Sequence, residues 1–187
     1  MTSIESLLFL VLACSALAQK GQDAIVETRN APMGTTIFTP KSVHEVESTG
    51  RLFIYKMKLT PLVSQNLDGT DRKMGILVAV TYSQRDVRFT DAAVVFVVDG
   101  RPSEQIQLQW SIDSSRGTGG MFEAGVVETT IQDQAGFVHK LAVARGASLS
   151  ILIPGRPRPL DQTSFKLSRE QLKDCRLMAD KYDALGR

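Results

Sequence analysis

Alternating apolar and polar positions, the pattern typical of half-buried strands, recur along most of the chain. In the stretch IQLQWSID, residues 106–113, Ile106, Leu108, Trp110 and Ile112 fall on one side of an extended backbone. The other side carries glutamine, serine and aspartate. We therefore predict a strand over 105–113 that places Trp110 in the core and turns a row of glutamines to the surface.

Further strands are predicted between glycine, proline and Asp-Gly turn signals. They cover residues 24–28, 35–38, 52–60, 75–82, 84–89, 92–98, 125–131, 137–144 and 149–153. The segments 75–82 and 92–98 are nearly all apolar, which suits central strands buried on both faces. Pro40 and Pro61 are expected to end the strands that precede them, because proline cannot donate to a ladder.

Polar turn signals separate these strands. Asp68-Gly69 and Asp99-Gly100 are dipeptides that favour tight hairpin turns. The segment 66–71, NLDGTD, loosely resembles a calcium loop, but the glutamate such a loop needs at its twelfth position is replaced by Leu77. We interpret it as a plain hairpin turn.

The last twenty residues change to helical periodicity. Ser168 is a suitable N-cap, and Gln171 stands three residues later, as a capping box requires. Apolar residues then recur at helical spacing at Leu172, Cys175, Ala179 and Tyr182. The predicted fold is mainly β, an antiparallel β-sandwich or barrel of about eight strands, with one C-terminal amphipathic helix that ends near Gly186.

The N-terminus resembles a secretory signal. A short apolar run over 7–13 is followed by Ala16-Leu17-Ala18, which fits a signal-peptidase site. The predicted organisation is a signal peptide over 1–18, a β-sandwich domain over 19–163 and a C-terminal helix over 164–187. A secreted or periplasmic location follows from this interpretation.

Two alternatives stay open for the N-terminus. The residues VLACS, 11–15, resemble a bacterial lipoprotein box in which Cys14 carries the lipid, and a lipid chain tethers a domain to a membrane. The other alternative is a buried N-terminal helix or strand. Removal of residues 1–18 leaves Cys175 as the one cysteine, which excludes an intramolecular disulfide. Cys175 then either pairs between chains or, as we expect, is a buried core thiol.

Composition and motifs favour binding over catalysis. The chain has 187 residues, 43% hydrophobic residues, 22% charged residues and a net charge of +2, so no strong field for nucleic acid is expected. It contains no G-x-S-x-G, H-E-x-x-H, Walker A or C-x-x-C motif. A secreted hydrolase would need a site assembled in space, with His44 and His139 as its best candidates. We expect no cofactor and no metal.

Candidate interaction residues lie on two segments. Gln105, Gln107 and Gln109 share one side of the predicted strand, where they meet solvent or hydrogen-bond to a partner. Arg156 and Arg158 project from the proline-rich stretch PGRPRP, where they form an anion-binding patch or simply solvate the loop.

The order of four segments within 94–175 resembles bacterial cell-envelope β-proteins of the type VI secretion-associated TagO-like and invasion-associated locus B groups. The segments are VVFVVDGRP, QLQWSID, LAVARGASLSILI and FKLSREQLKDC. The resemblance implies a non-catalytic envelope protein. The signal-like start, the β-rich body and the lack of a catalytic motif lead us to expect that its partner is another envelope or extracellular protein. The alternatives are an assembly factor lipid-anchored through Cys14 and the secreted hydrolase.

Overall fold

Two antiparallel sheets and two α-helices make up the part of the chain that the structure describes. The computed structural model describes residues 24–48, 56–82, 93–103, 106–107, 111–113, 125–131, 134–152 and 163–186. The larger sheet contains β1 (Ile25–Asn30), β2 (Thr35–Pro40), β3 (Glu45–Glu47), β4 (Lys56–Asn66), β5 (Arg72–Tyr82), β9 (Ser111–Asp113) and β10 (Gly125–Ile131). The smaller sheet contains β6 (Ala93–Val98), β7 (Arg101–Pro102), β8 (Ile106–Gln107), β11 (Ala147–Leu152) and β12 (Thr163–Lys166). The helices are α1 (Ala135–Val143) and α2 (Arg169–Ala184).

The strand order follows the chain only in part. The larger sheet runs β1-β2-β4-β5-β10-β9, with β3 also paired to β4, and one of the two sheets is strongly curled into a half-barrel. The smaller sheet runs β12-β11-β6, and both β7 and β8 pair with β6. The prediction of a mainly β, sandwich- or barrel-like antiparallel fold with a C-terminal helix is confirmed.

Alternate residues of the long strands build the core. Met57, Leu59 and Val63 of β4 are almost inaccessible to solvent, as are Ile76, Val78 and Val80 of β5. Phe96, Leu149, Ile151 and Phe165 contribute from the smaller sheet. The helix α2 packs on β2, β4 and β5 and against α1, and it buries Cys175, Met178 and Ala179. Burial of these apolar side chains is the main favourable term in folding.

Pro61 does not end its strand, contrary to the prediction. The amide of Asn66 donates to the carbonyl of Asp71, so the antiparallel alternation makes Pro61 a non-hydrogen-bonded partner of Ile76. The ring nitrogen of Pro61 therefore points away from β5. On that other side β3 pairs with residues 56–58 and β2 with residues 63–66, so neither pairs with Pro61. The missing N–H costs no ladder bond.

The segment 137–144 is helical, so the prediction of a strand there is wrong. Its apolar residues satisfy both periods, since Val138, Leu141 and Ala142 stand at the i, i+3 and i+4 spacing of a helix and are all buried. Phe137, on a neighbouring face, meets the ring of Phe96 edge to face with the centroids 4.7 Å apart. The segment packs between α2 and β5, and this packing favours the helix over a strand.

The predicted strand over 105–113 is divided between the two sheets. Ile106 and Gln107 pair with β6 in the smaller sheet, whereas Ser111–Asp113 pair with β10 in the larger one. Residues 108–110, which include Trp110, lie outside the described residues, as do the predicted strand 84–89 and the connector 154–159. The two described ends of the predicted strand therefore belong to different sheets.

Both Asp-Gly turns form where predicted. Gly69 has a φ of 76° in the connection from β4 to β5, and the carboxylate of Asp68 accepts from the amide and the hydroxyl of Thr70. Asp99 and Gly100 both have positive φ, as a two-residue type I′ turn between β6 and β7 requires. The segment 66–71 is therefore a hairpin turn, as interpreted.

Candidate binding cleft between strand β1 and helix α2

The interaction residues predicted from sequence lie almost entirely outside the part of the chain that the structure describes. Gln107 belongs to β8 and its backbone pairs with Ala93, but its side chain is not among those described. Four other candidates and the predicted lipidation site lie outside the described residues: Gln105, Gln109, Arg156, Arg158 and Cys14. Their roles stay predictions.

A cleft of about 390 Å³ lies between the first strands of the larger sheet and the C-terminal helix. Its lining residues come from the N-terminal edge of the sheet and from one face of α2. They are Ala24, Ile25, Glu27, Phe38, Leu177 and Lys181. The cleft therefore runs beside β1, the terminal strand in the order of this sheet.

The hydrogen-bonding pattern shows which groups of β1 face the open side. The amide of Lys41 donates to the carbonyl of Ala24 over 2.9 Å, so residues 24, 26, 28 and 30 exchange bonds with β2. Ile25, Glu27 and Arg29 direct their N–H and C=O groups away from β2. No described strand pairs with that side of β1. The cleft is thus bordered by a row of backbone donors and acceptors.

The floor of the cleft is aromatic and one rim is cationic. Phe38 of β2 is only 5% exposed, and Nζ of Lys181 lies 4.3 Å from the centroid of its ring. Leu177 precedes Lys181 by one helical turn and lines the same cleft. On the opposite wall, Glu27 forms an exposed ion pair with Arg29 at 3.2 Å. A bound segment that carries an apolar side chain next to a polar one fits this arrangement.

The first turn of α2 is held by a capping box that also reaches the β domain. Oγ of Ser168 accepts from the amide of Gln171, and Oε1 of Gln171 accepts from the amide of Ser168. Nε2 of Gln171 then donates to the carbonyl of His44 over 3.2 Å. Gln171 is completely buried. Its amide therefore satisfies groups on two elements and sets where α2 begins on the sheet.

The last turn of α2 is held by Arg72, the first residue of β5. The guanidinium lies 4.2 Å from the ring centroid of Tyr182 and donates to the carbonyl of Tyr182. A cation at this end is favoured because the last carbonyls of a helix are unsatisfied and carry partial negative charge. With both ends attached, α2 forms a rigid wall for the cleft.

The two histidines contact α2 at separate places. Nε2 of His44 lies 3.7 Å from Oδ2 of Asp174, and Nε2 of His139 lies 3.2 Å from Oδ2 of Asp183. Residues 174 and 183 are nine positions apart, which is roughly 13 Å along a helix. The structure therefore does not bring the histidines together into one site.

The environments of these two pairs differ. Nδ1 of His139 lies 2.7 Å from the backbone carbonyl of Ala135, and this hydrogen bond raises the pKa of His139. Asp183 raises the pKa further. Burial raises the pKa of Asp174, opposed by the nearby His44. Each pair links α2 to a neighbouring element, His139 from α1 and His44 from the segment before β3.

Cys175 is a buried core thiol, as the sequence indicated. It is fully enclosed, and burial raises the pKa of its thiol to about 12. Since the thiolate is the reactive form, the side chain is unreactive at neutral pH. Among the described residues, no group of three or more histidine, cysteine or acidic side chains is placed to hold a metal ion.

Sequence reasoning missed every residue that lines the cleft. Phe38 and Lys181 are far apart in the chain, and neither stands in a recognisable motif. The signal that was available is the pair Leu177 and Lys181, which share a face of α2 one turn apart, outside the predicted apolar stripe. Only the docking of α2 beside β1 gives these side chains a common surface.

Comparisons with protein-family models, with curated proteins and with solved structures gave no match for this chain. Among the helices of the described residues, none has the length and apolar character needed to span a membrane. The geometry of the cleft is therefore the basis for assigning a function.

Proposed function

We propose that the protein is a secreted or periplasmic, non-catalytic binding or assembly protein of the cell envelope, and that it binds its partner in the cleft between β1 and α2. The observation that carries the proposal is the outward row of backbone groups on Ile25, Glu27 and Arg29 beside an apolar floor. The partner is another envelope or extracellular protein.

The mode of binding is β-augmentation, in which an extended segment adds a strand to a sheet edge. The segment's backbone pairs with the outward groups of β1 and supplies affinity. Because successive side chains of a strand alternate in direction, every second residue of the segment faces the sheet side on which Phe38 and Leu177 lie. Apolar residues at those positions supply selectivity.

The location rests on the N-terminal segment. The run 7–13 and the site after Ala18 support export, and the order of the segments between 94 and 175 supports an envelope protein. An acylated Cys14 instead gives a membrane-tethered form of the same binding protein. Mass spectrometry of the mature N-terminus distinguishes the two, since one begins at Gln19 and the other at a lipid-bearing Cys14.

The test exploits the outward N–H of Glu27. Proline is tolerated on an edge strand where its nitrogen faces solvent, so Glu27→Pro removes one outward donor and leaves the bonds between β1 and β2 intact. Glu27→Ala is the matched control, because it removes the same side chain and keeps the N–H. A photo-crosslinking residue at Val26, an exposed position of β1 itself, records what binds next to β1.

We expect the full-length wild type and Glu27→Ala to crosslink the same partner in the cells that produce the chain, and Glu27→Pro to lose it at unchanged Tm. Equal crosslinking of that partner by all three proteins contradicts the proposal, because pairing through β1 then contributes nothing.

A further inference from the structure

Lys181 is a cation at the rim of the cleft without an ionic partner among the described residues. Its Nζ lies over the face of Phe38, and no described carboxylate lies within ion-pair distance of it. The acidic residue on the opposite wall, Glu27, is engaged by Arg29. Glu27 and Arg29 offset each other, so the positive charge of Lys181 has an aromatic ring, and no described carboxylate, in contact with it.

The ring satisfies Lys181 only in part. A cation over an aromatic face gains about 0.5–1 kcal/mol at an exposed site, but a phenyl ring accepts no strong hydrogen bond. An ammonium group has three donors, so Nζ keeps donors that the ring does not satisfy at a residue that lines the cleft. A carboxylate that enters there forms a charge-assisted hydrogen bond, and the apolar floor makes it stronger than the same pair in open water.

We propose that the segment bound by β1 carries an acidic side chain two residues from its apolar anchor, and that Lys181 receives this carboxylate. The inference rests on the proposed function. Residues i and i+2 of a strand lie on the same side, about 6.6–6.8 Å apart, which is close to the helical turn of about 5.4 Å between Leu177 and Lys181. An apolar residue on Leu177 therefore leaves its second neighbour near Lys181. The partner is thus an extended protein segment with an apolar-x-acidic pattern.

An internal acidic residue fits better than a terminal carboxylate. The outward groups of β1 extend past the cleft, because Arg29 continues the row that begins at Ile25 and Glu27. A segment that uses the whole row passes through the cleft and does not end in it. The chain terminus of a partner is therefore a competing outcome of the test.

The probes are four synthetic peptides that alternate threonine with valine and leucine. Three are blocked at both ends and carry glutamate, glutamine or lysine two residues after the leucine, and the fourth ends at that position with a free carboxylate. Binding to the full-length protein is measured by titration calorimetry at low and at high salt. The variants are Lys181→Met, Lys181→Glu and, as a matched control on an exposed part of the same helix, Lys173→Met.

We expect the wild type and Lys173→Met to bind the glutamate peptide about tenfold more tightly than the glutamine peptide at low salt, and less so at high salt. Lys181→Met should bind both equally, and Lys181→Glu should prefer the lysine peptide. Unchanged Tm values of the variants show that the comparison reports binding.

Three results overturn the inference. One is equal affinity of the wild type for all four peptides, and another is a wild type that binds none of them. The third is a clear preference for the free carboxylate at the peptide end, which assigns the cleft to chain termini. The proposed function is judged separately, since loss of the crosslinked partner in Glu27→Pro does not depend on the charge at Lys181.

Discussion

Nε2 of His139 lies 3.2 Å from Oδ2 of Asp183, so α1 is joined to the last turn of α2, the helix that forms one wall of the cleft. Nδ1 of the same ring contacts the carbonyl of Ala135 one turn earlier in α1. Both nitrogens therefore meet acceptors, an arrangement that the doubly protonated imidazolium satisfies and the neutral ring does not.

The His139–Asp183 pair should make stability depend on pH. The pKa of His139 is raised above its ordinary value of 6.5 in the folded protein, first by the bond to Ala135 and then by Asp183. The contribution of the pair to the free energy of unfolding is complete below pH 6.5 and is lost as the pH rises through the folded pKa. Because the pair is largely exposed, we expect under about 1 kcal/mol, or about 1–3 °C in Tm.

The measurement is Tm against pH for the wild type and His139→Gln. The variant should be less stable at pH 6 and closer to the wild type at pH 8. Asp183→Asn should reduce the same pH dependence while leaving the ring in place. A difference between wild type and His139→Gln that is constant from pH 6 to pH 8 rules out protonation as its cause.

Backbone changes at Pro61 and at its neighbour Leu62 should lower the free energy of unfolding by very different amounts. The ring nitrogen of Pro61 points away from β5, so Pro61→Val breaks no ladder bond but adds an N–H where no described strand pairs. Because Pro61 is buried, we expect this unpaired donor to cost about 1–2 kcal/mol. Leu62 is the next hydrogen-bonded partner in the ladder with β5, opposite Gly75. Leu62→Pro should cost about 4 kcal/mol or more, because it removes that bond and also a buried leucine side chain.

Urea unfolding of both variants provides the comparison. Similar losses in the two proteins would show that the alternation of bonds between β4 and β5 is not the one described. The same alternation accounts for where β2 and β4 separate. Beyond the pair Phe38 and Val63, the next bonded pair would be Pro40 and Pro61, and neither has an N–H to exchange.

The side chain of Gln171 should stabilise the folded protein by more than an ordinary helix cap does. Gln171→Ala removes the bond to the amide of Ser168 and leaves the carbonyl of His44 without its donor. We expect a loss of about 2–4 kcal/mol, the sum of a cap and an unsatisfied buried group. Ser168→Ala should cost about 1 kcal/mol, because it removes only the cap.

Calorimetry or urea unfolding measures both losses. An equal loss in the two variants would mean that the contact between Gln171 and His44 adds nothing. Amide hydrogen exchange in the first turn of α2 supplies a local readout, since both variants should speed exchange there.

Cys175 should be protected from thiol reagents in the native protein. It is fully buried and burial raises its pKa to about 12, so the thiolate is scarce at pH 8 and the sulfur is shielded. We expect labelling at least about a hundredfold slower in buffer than in urea. Rapid native labelling of Cys175, identified by peptide mapping, contradicts the packing of α2 on the sheet.

The sequence by itself determined the elements whose signals are local. Alternation along the strands predicted a β fold, the Asp99-Gly100 turn follows from residues that tolerate positive φ, and the Ser168 and Gln171 box located the start of α2. These features depend on neighbours a few residues apart, so the physics that decides them can be read from short windows.

Tertiary structure decided the rest. The segment 137–144 fits a strand and a helix equally well, and packing of Val138, Leu141 and Ala142 selects the helix. The role of Pro61 depends on which side of β4 lacks a partner, a matter of register between distant strands. The cleft needs Phe38 and Lys181 on one surface, and only the docking of α2 beside β1 brings them within 4.3 Å, because long-range contacts depend on how whole elements pack.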